Sequence, residues 1–225
     1  MRKAVSAAPA VSAQQGPTVF VVDDDLLMRG ALISLFRSVG LSVQAFASAT
    51  DLLEHPLPSA PSCLVLDIIL PRLSGFELQI ELDRLGSKIP IVFITGHGNI
   101  PMSVKAMKAG AIDFLTKPFR DQELLEAVTR ALDRDRKRRS EEQRAEQIQS
   151  RFESLTARER QVMSLVTAGL MNKQVGSEIG ISEQTVKIHR GHVMRKMRVE
   201  SLADLVLIAE SLGVRAPRRA TGTST

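Results

Sequence analysis

Between residues 18 and 131 short apolar runs alternate with amphipathic stretches five times, and three of the runs are too apolar to face water on either side. TVFVV (18–22), SVQAF (42–46), CLVLD (63–67), IVFIT (91–95) and DFLTK (113–117) are five candidate strands. The stretches between and after them, LLMRGALISLFRSVG, ATDLLEH, GFELQIELDRLG, NIPMSVKAMKAG and DQELLEAVTRAL, space their apolar residues by three and four, as helices with one buried face do. Regular β then α alternation predicts a doubly wound five-stranded parallel sheet with helices on both faces. The nearly unbroken apolar character at 19, 64 and 91 suits strands buried on both sides.

Beyond Leu132 the apolar stripe stops. DRDRKRRSEEQRAEQIQSRFE carries charges of both signs, and Ala145, Ile148 and Phe152 are its only apolar residues. Too little apolar surface is available there to fold alone, so 132–153 is expected to be a charged linker, partly helical. Helical periodicity returns near 156–168, 172–180, 182–197 and 201–212, which predicts an all-α domain of four helices over 154–213. Residues 1–17 and 214–225 are expected to be disordered tails. The first of them lacks the Leu/Ile-rich core that a secretion signal needs.

Charge separates the two halves. Residues 1–131 hold 12 basic against 13 acidic side chains, whereas residues 132–225 hold 18 against 12. The basic excess therefore lies in the C-terminal half, where a polyanion such as DNA becomes a candidate partner. No window has the unbroken apolar length of a membrane span. Cys63, the single cysteine, excludes a disulfide framework or a thiolate cluster and favours a reducing compartment, so the expected location is cytoplasmic.

In a doubly wound parallel sheet, ligands bind beyond the carboxyl ends of the strands. Here those ends deliver Asp23 and Asp24 after the first strand, Asp67 after the third, Thr95 after the fourth and Lys117 after the fifth. Adjacent carboxylates oppose one another's ionisation unless a cation joins them. Mg²⁺ suits an oxygen-rich site beside a phosphate. Asp67 then has the chemistry of a phosphoryl acceptor, with Lys117 and Thr95 placed to meet phosphoryl oxygens. Asp25 reads as a helix cap, and His55, His97 and Cys63 as structural or surface residues.

VVDDD, CLVLDIILPRLSGFEL and IPIVFITGHGNIPMSVKAMKAGAIDFLTKPF together resemble, in order and spacing, the receiver domain of bacterial two-component response regulators. The resemblance implies a flavodoxin-like fold and phosphorylation of Asp67 by a sensor histidine kinase. It also implies Mg²⁺ held by Asp23, Asp24, Asp67 and the backbone carbonyl of Ile69. Further implications are a cis peptide between Lys117 and Pro118 and a switch pair formed by Thr95 and Phe114. Leu70 stands where such domains usually have methionine, and Asp25 where they usually have glutamate.

In the C-terminal region Thr156 and Glu159 have capping-box spacing, with Leu155 placed to staple the first turn. NKQVGSEIG and SEQTVKIHRGHVMRKM, joined by a Gly180-Ile181 turn with Ser182 as cap, predict a helix-turn-helix whose second helix enters the major groove. Val186, Val193 and Met197 would pack inward. Lys187, Arg190, Arg195 and Lys196 remain for solvent or phosphate, and Lys173 and Thr185 for backbone oxygens. Gly191 in mid-helix costs about 1 kcal/mol against Ala, and close approach to DNA or to another helix would explain it.

The order LTARERQV, GLMNKQV, ISEQTVKIHRGHVMRKM, SLADLV resembles the DNA-binding domain of the LuxR/FixJ family. That resemblance implies base-facing positions at Lys187, Ile188 and Gly191, with His189 also counted among the DNA-contacting residues, and a dimerising last helix. The chain as a whole is expected to be a transcription regulator and not an enzyme. Phosphorylation would expose the face spanning residues 99–131, promote a homodimer and lead to promoter binding on double-stranded DNA, with RNA polymerase a further partner. Two other readings stay open at this stage. An aspartate-nucleophile phosphatase would share Asp67, though Ile69 stands where its second acid belongs, and a constitutive DNA-binding protein would carry the first domain as a structural part.

Overall fold

The computed structural model describes residues 16–214, so all but residues 16, 17 and 214 of the tails expected at 1–17 and 214–225 lie outside the described residues. The chain divides into two compact units between Ser140 and Glu141.

In the N-terminal unit the strands are β1 (Thr18–Val22), β2 (Ser42–Phe46), β3 (Ser62–Asp67), β4 (Ile91–Thr95) and β5 (Asp113–Thr116). They form one parallel sheet in the order β2-β1-β3-β4-β5. Helices α1 (Leu26–Ser38), α2 (Ala49–Leu53), α3 (Gly75–Arg84), α4 (Ile100–Lys108) and α5 (Asp121–Glu153) follow the strands in turn. Every residue of β1, β3 and β4 is buried, while β2 and β5 are only partly buried because they form the two sheet edges.

Alternation along the strands sorts side chains into two cores. Phe20, Leu64, Leu66 and Phe93 pack under α2 and α3 residues such as Leu52 and Leu78. Val19, Val21, Val65, Val92 and Ile94 meet Leu32 and Phe36 of α1 and Leu124 and Val128 of α5. Cys63 lies fully buried in the second core, and burial with the nearby Asp135 charge holds its thiol well above the ordinary range.

The stretch 132–153 is helical throughout, as part of the 33-residue α5, where the sequence suggested a linker helical in part. Its first residues belong to the sheet unit. Asp135, fully buried, accepts from the Ser62 amide at 2.9 Å and pairs with Arg138 and Arg139 at 2.5 Å each, and Arg139 donates to the Ser59 carbonyl at 3.0 Å. Burial pushes the Asp135 carboxyl upward, but the two guanidinium groups and the Ser62 amide outweigh it and hold it below its ordinary value.

The C-terminal unit contains α6 (Ala157–Thr167), α7 (Asn172–Ile179), α8 (Glu183–Met197) and α9 (Leu202–Ser211) around a core of Leu155, Val162, Met163, Val166, Val175, Val186, Val193, Met197 and Leu205. The expected caps form. Thr156 and Glu159 make a reciprocal capping box, and Ser182 accepts from the Thr185 amide. Gly180 turns the chain in the left-handed region, φ 71°. A Cβ on Gly176 would stand 2.6 Å from the Ile181 carbonyl, so this glycine permits the close approach of α7 to the turn after it.

Candidate functional site

The order 2-1-3-4-5 reverses between β1 and β3, and the residues at the carboxyl ends of those strands line the crevice where such sheets bind ligands. Asp23 and Asp67 are buried there, and Asp24 is exposed. Carboxylate oxygens of the three lie within 4.8 Å of one another. Lys117 reaches in from the end of β5 and donates to Asp23 Oδ2 and to Asp67 Oδ2, each at 2.6 Å. One ammonium thus bridges two carboxylates 44 residues apart in the chain, which is why like charge tolerates this edge.

The other oxygens of the pair are held by local backbone. The Asp25 amide donates to Asp23 Oδ1 and the Ile69 amide to Asp67 Oδ1, both at 2.9 Å. Burial raises the Asp23 carboxyl above its ordinary value, against the pull of Lys117 and the Asp25 amide. For Lys117, burial acts downward, yet its hydrogen bonds to Asp23 and Asp67 win and raise it, so the ammonium stays charged. The peptide between Lys117 and Pro118 is cis, as the resemblance implied. Asp25 caps α1, accepting from the Leu27 and Met28 amides.

An all-oxygen cluster with two buried anions and a third facing solvent fits a hard divalent ion that keeps several waters, and so fits Mg²⁺.

Thr95 is fully buried at the end of β4, and its Oγ1 accepts from the His97 amide at 3.3 Å. Phe93 pairs in register with Phe114 and Thr95 with Thr116, so Thr95 and Phe114 share the sheet face that carries the first core. Phe114 is half-buried against that core.

Sequence reasoning missed three supports. A Cβ on Gly75 would stand 2.5 Å from the Asp67 carbonyl, and the Gly75 amide donates to the Ile68 carbonyl, so a glycine is needed beneath the acceptor loop. Gly98 lies over Phe114 and Thr116 with no room for a Cβ. Arg29 donates to the Asp23 carbonyl at 2.7 Å. Ser74 caps α3 in a capping box with Glu77, and a glycine directly after such a cap residue was a signal for the first; the other two depend on neighbours that only the fold supplies.

On α8, the neighbours Lys187 and Ile188, with Gly191 three residues further on and Arg195 four beyond that, form one exposed stripe opposite the buried Val186, Val193 and Met197. Lys187 lies 3.4 Å from Glu183 one turn earlier, an exposed pair that a phosphate can compete for. Lys173 is exposed in the first turn of α7. Thr185 is half-buried, its hydroxyl 2.8 Å from that of Ser182. Arg190 is half-buried and reaches Asn172 at 3.5 Å. His189 does not join the stripe; it lies on the side of α8 that faces Glu159 of α6, with its Nδ1 buried.

Residues 19–129 match the response regulator receiver domain, and residues 153–209 match the bacterial regulatory proteins of the luxR family. Nodulation protein W of Bradyrhizobium diazoefficiens is 60% identical over 198 residues, covering 88% of this chain and 87% of that protein. The transcriptional regulatory protein FixJ of Azorhizobium caulinodans is 40% identical over 205 residues, covering 91% and 97%. Among solved structures, the response regulator StyR superposes with a TM-score of 0.81 at 51% identity, covering 87% of this chain and 98% of that one. The chain therefore belongs to the transcriptional response regulators of two-component systems, those that join a receiver domain to a luxR-type DNA-binding domain.

Proposed function

We propose that Asp67 is the phosphoryl acceptor, and that its phosphorylation by a sensor histidine kinase promotes a homodimer able to bind promoter DNA. The observation that carries this reading is the Lys117 ammonium, 2.6 Å from both Asp23 and Asp67 at the switch point of the sheet. An Asp67 oxygen bonds to phosphorus as the phosphorus–nitrogen bond to the kinase histidine breaks, and the departing imidazole takes up a proton from solvent. Lys117 then transfers its contact from the Asp67 carboxylate to a phosphoryl oxygen, supplying charge where the transferred group is most anionic. Asp23, Asp24, Asp67 and the Ile69 carbonyl would hold Mg²⁺, which supplies further neutralisation of phosphoryl charge when bound.

Thr95 offers its hydroxyl to another phosphoryl oxygen, and Phe114, on the same sheet face, turns inward as that hydroxyl moves. The switch biases the 99–131 face toward self-association. Lys187, Ile188 and Gly191 then meet base edges, with Lys173, Thr185, Arg190 and Arg195 on phosphates and RNA polymerase as the downstream partner. A regulator of promoter DNA works in the cytoplasm, and among the described residues no helix is long and apolar enough to cross a membrane.

The test is mass and sedimentation of the full chain with Mg²⁺, before and after a small acyl-phosphate donor, beside Asp67→Asn. A phosphoryl mass gain confined to wild type, with a shift from monomer to dimer and tighter DNA binding, is expected. Equal self-association and DNA binding by Asp67→Asn and the phosphorylated wild type would sink the proposal.

A further inference from the structure

The side of α8 away from its exposed stripe holds a cluster that the phosphoryl switch does not use. Glu159 of α6 and His189 and His192 of α8 each present a ligating atom within 4.8 Å of the other two. Glu159 is 3% exposed, and its two oxygens are unequally engaged. Oε2 accepts from the Thr156 amide at 2.8 Å and from the Lys196 ammonium at 2.7 Å, whereas Oε1 faces His192 Nδ1 at 3.4 Å.

That separation is long for a hydrogen bond. It is, however, the spacing of two donors on one tetrahedral ion, because bonds of roughly 2.0–2.1 Å at tetrahedral angles set donors about 3.3 Å apart. His189 supplies a second, independent sign. Its Nδ1 is buried and, among the described residues, has no hydrogen-bond partner, a costly condition for a ring nitrogen that a ligating partner relieves. The two imidazoles stand nearly perpendicular, with ring centres 6.4 Å apart.

We propose that Glu159, His189 and His192 form a binding site for a divalent transition-metal ion of the Zn²⁺ class. Two imidazoles and one carboxylate are a donor set for Zn²⁺ and its neighbours and a poor one for Mg²⁺ or Ca²⁺, which want oxygen throughout. The fourth position is open to water, since the His192 side chain is 42% exposed. Lys196 remains on Oε2, so the buried carboxylate keeps its ion pair while Oε1 takes the metal. Because the ligands come from α6 and α8, the ion ties the helix bearing Lys187, Ile188, Gly191 and Arg195 to its support. The inference does not rest on the phosphorylation reading, as the site lies wholly within the C-terminal unit.

The test titrates Co²⁺, then Zn²⁺, into the chelator-treated full chain. Expected is one equivalent of Co²⁺ with the intense visible absorption of a four-coordinate ion, its displacement by Zn²⁺, and a Zn²⁺-dependent rise in unfolding temperature. Co²⁺ taken up by the carboxylates at Asp23, Asp24 and Asp67 would be six-coordinate and weakly absorbing, so the spectrum separates the two sites. His192→Gln and His189→Gln should each weaken the strongly absorbing site by at least the roughly 10–100-fold that loss of an outer-shell partner costs a metal site. His55→Gln/His97→Gln, which removes the other two histidines of the chain, should keep it. Circular dichroism reports folding of each variant, and should His192→Gln unfold, His189→Gln carries the comparison. Absence of the intense band in wild type, or its retention in a folded His192→Gln or His189→Gln chain, would overturn the proposal.

Discussion

Two glycines on neighbouring helices make opposite predictions. Gly176→Ala would drive a Cβ to 2.6 Å from the Ile181 carbonyl, a backbone atom that cannot swing aside. The expected result is a loss of about 1–3 kcal/mol from the C-terminal unit, read by urea unfolding. Gly191→Ala meets nothing within 4 Å among the described residues, so helix propensity alone acts, and the variant should gain up to about 1 kcal/mol. Of the two explanations the sequence offered for Gly191, close approach to another helix has no support among the described residues, and DNA remains. Gly191→Ala should therefore bind double-stranded DNA more weakly while unfolding later. A variant that is more stable and binds as well as wild type would show that this position does not approach DNA.

At the scale of elements, the sequence was legible where burial dictates composition. β1, β3 and β4 are buried on both faces, so their middles had to be apolar, and the polar residues at or just past their carboxyl ends marked the site edge. The uninterrupted course of α5 was not legible, because its second half has no apolar stripe. Polar pairs one turn apart accompany it instead, Asp133 with Arg136 and Asp135 with Arg138 and Arg139 at its middle, and Gln149 with Glu153 at its end. Nothing in DRDRKRR reveals that Asp135 is buried, since its partner amide belongs to Ser62, 73 residues earlier. Likewise a lysine before a proline does not announce that one ammonium will bridge Asp23 and Asp67, for that depends on strand order. Asp135→Ala should leave the Ser62 amide unpaired and cost about 1–3 kcal/mol. Its carboxyl is depressed in the folded chain, so its stabilisation is present above the ordinary value of 3.8 and lost as pH falls through the lower folded value. Accordingly the stability gap between wild type and Asp135→Ala should hold near neutrality and close below about pH 4; a gap constant into strong acid would assign the loss to packing.

Across the whole molecule, charge divides labour: a receiver half near neutrality and a basic half of 18 Lys/Arg against 12 Asp/Glu over residues 132–225. The logarithm of the DNA-binding constant should fall linearly with the logarithm of salt concentration, and removing Arg195, proposed above to meet a phosphate, should lower that slope by roughly 1. An unchanged slope for Arg195→Ala, measured by fluorescence anisotropy at several salt concentrations, would place Arg195 away from the phosphates. The buried Cys63 has a practical bearing on all of these measurements. As the chain's one thiol, sealed in the second core and held in its unreactive protonated form, it should ignore maleimide and methanethiosulfonate reagents in the native state. A cysteine introduced at the exposed Ser38 would then be the single attachment point for a spin label, with no background mutations required. Distances between labels on two copies, recorded with and without an acyl-phosphate donor, would follow self-association in the otherwise native protein.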